Sequence, residues 1–264
     1  MARKRRLFSS VLLLLITILY CADSPSDLYR KAKSFDEDSD YRRAILYYKR
    51  VFEDFPRSDY APDALFRAAT ISHIFFRDIR DSIRMFKTIV VNYPEYPKAM
   101  EAQKQIAGIF MEEVLDFQNA IGEYQKLLQM NPPQDEVPGY LLNIGRCYES
   151  VGNYEQAMVE YKNIISKFPD SKESMNAKFA VNFINYIQKR TSNAIRGFEE
   201  FISEYPESEL APDALFYLAG SYEDNDNLHK ALEILKGLKG KYRNPGTLRL
   251  KIDRLENRLK VRKR

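Results

Sequence analysis

A six-residue string occurs twice in this chain. Ala61-Pro62-Asp63-Ala64-Leu65-Phe66 returns unchanged as Ala211-Pro212-Asp213-Ala214-Leu215-Phe216, 150 residues later. Prolines in similar company fill the interval: Phe55-Pro56, Tyr93-Pro94, Asn131-Pro132, Phe168-Pro169 and Tyr205-Pro206, spaced by 38, 38, 37 and 37 residues. Two independent markers thus agree on a period of 37–38 residues. Self-similarity at such a period means stacked copies of one supersecondary unit, because a single copy cannot bury its own apolar face.

Each copy reads as two amphipathic helices. In the clearest, Tyr140–Val151 is one helix, Gly152-Asn153 a turn and Tyr154–Lys167 the second, which Pro169 ends. Leu141, Ile144, Gly145 and Tyr148 share a stripe of the first helix, and Tyr154, Ala157, Tyr161 and Ile164 one of the second, at spacings of three and four. Where such helices cross, small residues let the backbones approach, so Gly145 is expected to face Ala157.

These residues, in this order, resemble the tetratricopeptide repeat (TPR) family: a large residue, Leu-Gly, Tyr, Ala, an aromatic and Pro. The first copy matches through Leu28, Ala32, Phe35, Tyr41, Ala44, Tyr48, Val51 and Pro56, and the last through Leu218-Ala219, Tyr222, Ala231 and Leu235. The second and fifth copies have decayed signatures. The resemblance implies an all-α fold, a solenoid of about six helix-turn-helix repeats near residues 25–57, 61–95, 98–132, 138–170, 174–207 and 211–245.

After Asn244-Pro245-Gly246, Thr247 is expected to cap a last helix, with Leu248, Ile252, Leu255 and Leu259 on one stripe. Residues 246–264 would then close the open end of the array as a capping helix. Its cations, among them Lys260, Arg262, Lys263 and Arg264, suit solvent, or contact with anionic lipid or an acidic partner. The body before it is acidic, although the whole chain carries Lys plus Arg 41 against Asp plus Glu 37. That distribution argues against a nucleic-acid-coating protein.

Residues 1–20 read as a signal or anchor. Arg3, Lys4, Arg5 and Arg6 precede the uncharged run Leu7–Tyr20, which has a secretory length rather than that of a spanning helix. Cys21 follows directly and resembles the lipid-modified Cys of bacterial lipoproteins, although the preceding Tyr20 is bulkier than the family's usual residue. Three fates fit: lipidation of Cys21 after cleavage, an uncleaved anchor, and ordinary secretion. Each takes the chain to the cell envelope or beyond it, and the first two hold it on a membrane, facing the periplasm. The outer membrane is expected over the inner.

Little catalytic chemistry is spelled out. The chain has two His and two Cys and lacks phosphate-binding and paired-Cys motifs, so neither a metal site nor a cofactor is expected. His73 and Cys147 read as packed core residues, and the acidic run Asp36–Asp40 as a solvated loop. Because the repeats consume most of the chain, an enzyme or a small-molecule substrate is not expected. The expected partners are other proteins or peptides, held by a non-enzymatic binding module. The strings Phe55-Pro56-Arg57-Ser58, Phe168-Pro169-Asp170-Ser171 and Tyr205-Pro206-Glu207-Ser208, behind a lipobox-like Cys, are similar to two bacterial groups. One is the BamD type of outer-membrane assembly lipoprotein. The other is the CpoB type of Tol-linked cell-division coordinator. A self-assembling structural protein is the further alternative.

The TPR resemblance implies a concave face lined by the first helix of each repeat. In repeat two this register selects Arg67, Ile71, Ile74 and Phe75; in repeat five it selects Phe179, Phe183, Tyr186 and Ile187. Apolar residues in a groove are a candidate peptide site.

Overall fold

The computed structural model describes residues 23–262. Cys21, the segment before it and residues 263–264 lie outside them. The described residues are all-α, and the helices fall in pairs at the expected period. Repeat one is α1 (Pro25–Glu37) and α2 (Tyr41–Asp54); repeat two is α3 (Ala61–Phe76) and α4 (Ile79–Asn92). Then come α5 (Ala99–Ile109), running into a π-helical turn at Phe110–Val114, and α6 (Phe117–Gln129). Repeat four is α7 (Val137–Ser150) and α8 (Tyr154–Lys167), repeat five α9 (Lys172–Ile187) and α10 (Thr191–Glu204), and repeat six α11 (Ala211–Asp224) and α12 (Leu228–Gly237). The last helix is α13 (Pro245–Arg262). It begins at Pro245 rather than 246, and its cap is Asn244, whose side chain accepts from the Thr247 N–H at 3.1 Å. Thr247 is therefore inside the helix.

The turn within each pair has one construction. A residue in the left-handed region comes first: Ser39, Arg77, Leu115, Gly152, Lys189 and Asp226, with φ between 53° and 76°. The next residue is Asp40, Asp78, Asp116, Asn153 or Asn227, whose side chain accepts the backbone N–H three positions on. This is an N-cap, and it satisfies one of the orphan donors of the second helix. Repeat five has Arg190 there and makes no such bond. Only Gly152 offers the left-handed geometry without steric cost, so the other five turns hold a β-carbon where backbone sterics disfavour it.

The chain divides into two compact units, one ending at Leu115 and the other starting at Asp116. The boundary lies in the turn of the third repeat, so α5 and α6 belong to different units. In the first unit one core runs from Leu28 through Tyr48, Ile71 and Phe86 to Ile106 and Ile109. In the second, Leu141, Tyr161 and Ile184 head one cluster, and Phe198, Leu218, Leu235 and Leu255 head another that takes in α13. The apolar stripe of α13 is thus buried, as expected for a cap.

One crossing differs from expectation. The neighbour of Gly145 is the ring of Tyr161: a β-carbon on Gly145 would lie 2.4 Å from its Cε1. The glycine makes room for an aromatic rather than meeting Ala157. In repeat five Asn182 stands 37 residues after Gly145, and the missing room is supplied by Gly197 on the opposite helix. A β-carbon on Gly197 would lie 2.0 Å from Asn182 Oδ1, and Asn182 Nδ2 donates to the Gly197 carbonyl at 2.7 Å. The decayed signature of repeat five is an exchange of which helix is small.

Candidate partner-binding faces

In the first unit α3 carries Arg67, Ile71, Ile74 and Phe75. Arg67 is committed to an ion pair: its Nε and Nη2 donate to the two oxygens of Asp36 at 2.5 and 2.8 Å. The Asp36 side chain is only 8% exposed, so the head of the acidic run is a buried partner of the next repeat rather than a solvated loop residue. A bidentate Arg–carboxylate pair fixes orientation as well as adding energy. Around it lies a cleft of about 410 Å³, lined by Tyr29, Lys33, Asp36, Phe66, Arg67 and Lys98 among others. At its edge Asp63 accepts from the hydroxyls of Tyr29 and Tyr96 and from Lys98 Nζ. Burial alone would raise the Asp63 carboxyl, but these hydrogen bonds outweigh it and hold the carboxyl below its ordinary value.

The apolar members of this set part company. Ile71 is fully buried in the core, where Met85 and Phe86 also sit, and it presents nothing to a ligand. It lies only three positions from Ile74, but α3 is packed by a helix on each side and buries a wide arc. Ile74 and Phe75, by contrast, are 58% and 48% exposed, and Phe76 follows at 38%. Three large apolar residues in a row therefore face water at the end of α3. Tyr41 of α2 stacks on Phe75 with ring centroids 3.8 Å apart, and the Arg42 guanidinium lies 5.4 Å from the Phe76 centroid. Phe76 and Tyr41 were not expected here, since Phe76 is one step beyond the inner positions. His73, also on α3, is half-buried and bonded to Glu113 rather than sealed in the core.

In the second unit the α9 residues form an aromatic cluster around a residue that the sequence reading left out. Phe179, Phe183 and Tyr186 surround Tyr217 of α11, with ring centroids 6.2, 5.0 and 5.3 Å from it. Phe179 also meets Phe198 and Phe201 edge-on, so it is largely a core residue. Phe183, Tyr186 and Ile187 are half-buried. Tyr186 lies over Gly220, where a β-carbon would come within 2.9 Å of its ring and hydroxyl. The signal for Tyr217 was available: the 150-residue offset of the repeated string maps Arg67 onto it.

The same offset exposes a defect. In the first unit Tyr29 donates to Asp63 across 34 positions. The residue 34 positions before Asp213 is Phe179, which has no hydroxyl. Asp213 Oδ1 is buried and has no hydrogen-bond partner among the described residues, while Oδ2 pairs with Arg243 at 3.1 Å. Phe179→Tyr is expected to supply the missing donor and raise stability by about 1 kcal/mol. An unchanged or lower melting temperature would show that the two rings are not equivalently placed.

Elsewhere burial pushes the Cys147 thiol up to about 11, as fits an inert core cysteine. Among the described residues no helix is long and apolar enough to cross a membrane, and no cluster of His, Cys, Asp and Glu could hold a metal ion.

Comparison with known families adds three findings. Residues 21–190 match the YfiO family model, described as an outer membrane lipoprotein. Residues 181–208 and 213–245 match a tetratricopeptide repeat model. None of the curated proteins matches the sequence. Among solved structures, the C-terminal part of a TPR protein from Cytophaga hutchinsonii is 17% identical, with TM-score 0.62, over 93% of this chain and 95% of that one. A TPR protein from Parabacteroides merdae is 18% identical, with TM-score 0.57, over 89% and 88%. YrrB, described as a TPR protein with an unusual peptide-binding site, is 12% identical, with TM-score 0.55, over 78% and 97%. At these identities the likeness is one of fold.

Proposed function

The chain belongs to the YfiO family of outer membrane lipoproteins, and from that premise we propose that it is anchored in the cell envelope by lipid on Cys21 and holds partner polypeptides during outer-membrane protein assembly. Of the two bacterial groups that the sequence resembles, the family match favours the outer-membrane lipoproteins. The match also starts at Cys21, directly after the uncharged run Leu7–Tyr20. Acyl chains contribute ~0.8 kcal/mol per buried CH₂, so two or more hold a protein firmly on a membrane.

The observation that carries the binding role is the exposed tract Ile74-Phe75-Phe76. Contiguous apolar surface on a folded domain marks an interaction site, whereas scattered exposed residues do not. The tract extends through Tyr41 and lies beside a cationic side chain, Arg42, which leaves an apolar landing area with a polar edge.

The test is affinity capture from solubilised membranes with tagged full-length chain. Ile74→Asp is expected to keep its melting temperature, since surface changes shift stability by about 0.5 kcal/mol or less, and to lose captured partners. Ile71→Asp, three residues away, buries a charge and should unfold the first unit. Undiminished capture by a well-folded Ile74→Asp chain would overturn the assignment of this face. For the anchor, Cys21→Ser should leave a precursor of higher mass; an unmodified Cys21 in wild type would exclude the lipid.

A further inference from the structure

The inner face of the second unit carries more positive charge than its own carboxylates absorb, beside tyrosine hydroxyls that have no partner among the described residues. Glu223, near the end of α11, has a side chain only 7% exposed. Arg254 Nη2 and Arg258 Nη1 of α13 donate to its Oε1 at 2.6 and 2.7 Å, and Lys251 Nζ lies 3.6 Å from its Oε2. Arg262 donates to Asp226, and Lys189, at the end of α9, donates to Asp224. Lys189, Lys251, Arg254, Arg258 and Arg262 thus share three carboxylates. The side chains of Arg254 and Arg258 remain 63% and 41% exposed, so each keeps donors facing water.

The tyrosines lie next to this cluster. Lys189 Nζ is 5.4 Å from the Tyr186 ring centroid, and Asp224, Lys189, Glu223 and Arg254 are the charges that act on the Tyr186 hydroxyl. Neither Tyr186 nor its neighbour Tyr217 makes a hydrogen bond through its hydroxyl among the described residues. The nearby Asp213 pairs with Arg243 through Oδ2. The half-buried ring of Phe183 continues the surface on the apolar side.

We propose that this face binds an acidic residue of a partner polypeptide in extended form, its carboxylate received by Arg254 and the Tyr186 hydroxyl, and a neighbouring apolar side chain resting on Phe183 and Tyr217. This deepens the polypeptide-binding role and rests on it. Charge complementarity selects the occupant: a cationic or neutral peptide leaves the surplus unmatched, whereas a carboxylate accepts charge-assisted hydrogen bonds. Arg254 follows Glu223 by 31 positions as Arg67 follows Asp36, but both Asp36 oxygens accept from the one arginine, whereas Glu223 Oε1 is shared by Arg254 and Arg258.

The experiment uses full-length chain and a fluorescein-labelled peptide, Gly-Phe-Glu-Tyr-Glu-Phe-Gly, with its Gln-for-Glu counterpart, read by fluorescence anisotropy. The acidic peptide is expected to bind about tenfold more tightly, with a preference that shrinks as salt rises. Arg254→Gln and Tyr186→Phe should each reduce that preference; Tyr186→Phe removes only a hydroxyl and should keep the wild-type melting temperature. Equal binding of both peptides overturns the carboxylate site while leaving a polypeptide groove intact. Binding of neither overturns the whole inference, as does binding only to phosphatidylcholine vesicles that contain phosphatidylglycerol. The capture assay at Ile74 lies in the other unit, so its failure is read separately.

Discussion

Gly145→Val is expected to destabilise the second unit by about 3 kcal/mol, the upper part of the range for overpacked cores. The added β-carbon alone would lie 2.4 Å from Tyr161 Cε1, and the branched side chain adds two methyl groups at the same crossing. Tyr161 cannot step aside. Its side chain is fully buried, and its hydroxyl donates to Glu149 Oε2 at 2.9 Å. Valine is also stiff in a helix, which closes the remaining routes of escape. Thermal or urea melting reads the effect, and the double variant Gly145→Val, Tyr161→Ala separates its origin. If the clash is the cause, the two changes cost less together than the sum of each alone. A Gly145→Val chain that melts with wild type would show that α7 and α8 cross differently.

Glu223→Ala is expected to cost about 2–3 kcal/mol and to loosen α13 first. Removing one member of a buried ionic group usually costs ~3–5 kcal/mol, because the remaining charge stays buried and unpaired. Here the penalty is smaller, since Arg254 and Arg258 are partly solvated and can turn to water. Lys251 cannot: its side chain is 14% exposed, and burial already pulls its amine below the ordinary lysine value, with Glu223 as the opposing influence. Amide hydrogen exchange should show α13 opening ahead of α11 and α12, as expected when an end cap is held by its own local contacts. Uniform protection across the second unit would mean that Leu248, Ile252 and Leu255 hold the helix without the ionic group.

Much of the architecture follows from the 37–38-residue period. The prolines after Phe55, Tyr93, Phe168 and Tyr205 stop second helices, and the apolar spacing of three and four marks each helix and its inward stripe. The turns were less legible. A left-handed Leu115 or Lys189 carries no Gly signal, although each closes the end of the helix before it. The pairing of Asp36 with Arg67 was equally hidden, because it spans 31 positions and joins two repeats.

The sequence by itself determined the class: helical hairpins, their number and spacing, and a last helix with a buried stripe. These are local properties, written in periodicity and in residues that start or stop a helix. Only the tertiary structure decided which apolar residues of a first helix are surface. Ile71 and Ile74 lie on the same helix three residues apart, and one is sealed while the other faces water. That outcome depends on the side chains of the neighbouring helices α2 and α4, which pack on α3. The same is true of Gly145 and Gly197, each required by one large side chain on the opposing helix, Tyr161 and Asn182. Steric fit between helices is a property of pairs, and no single helix records it.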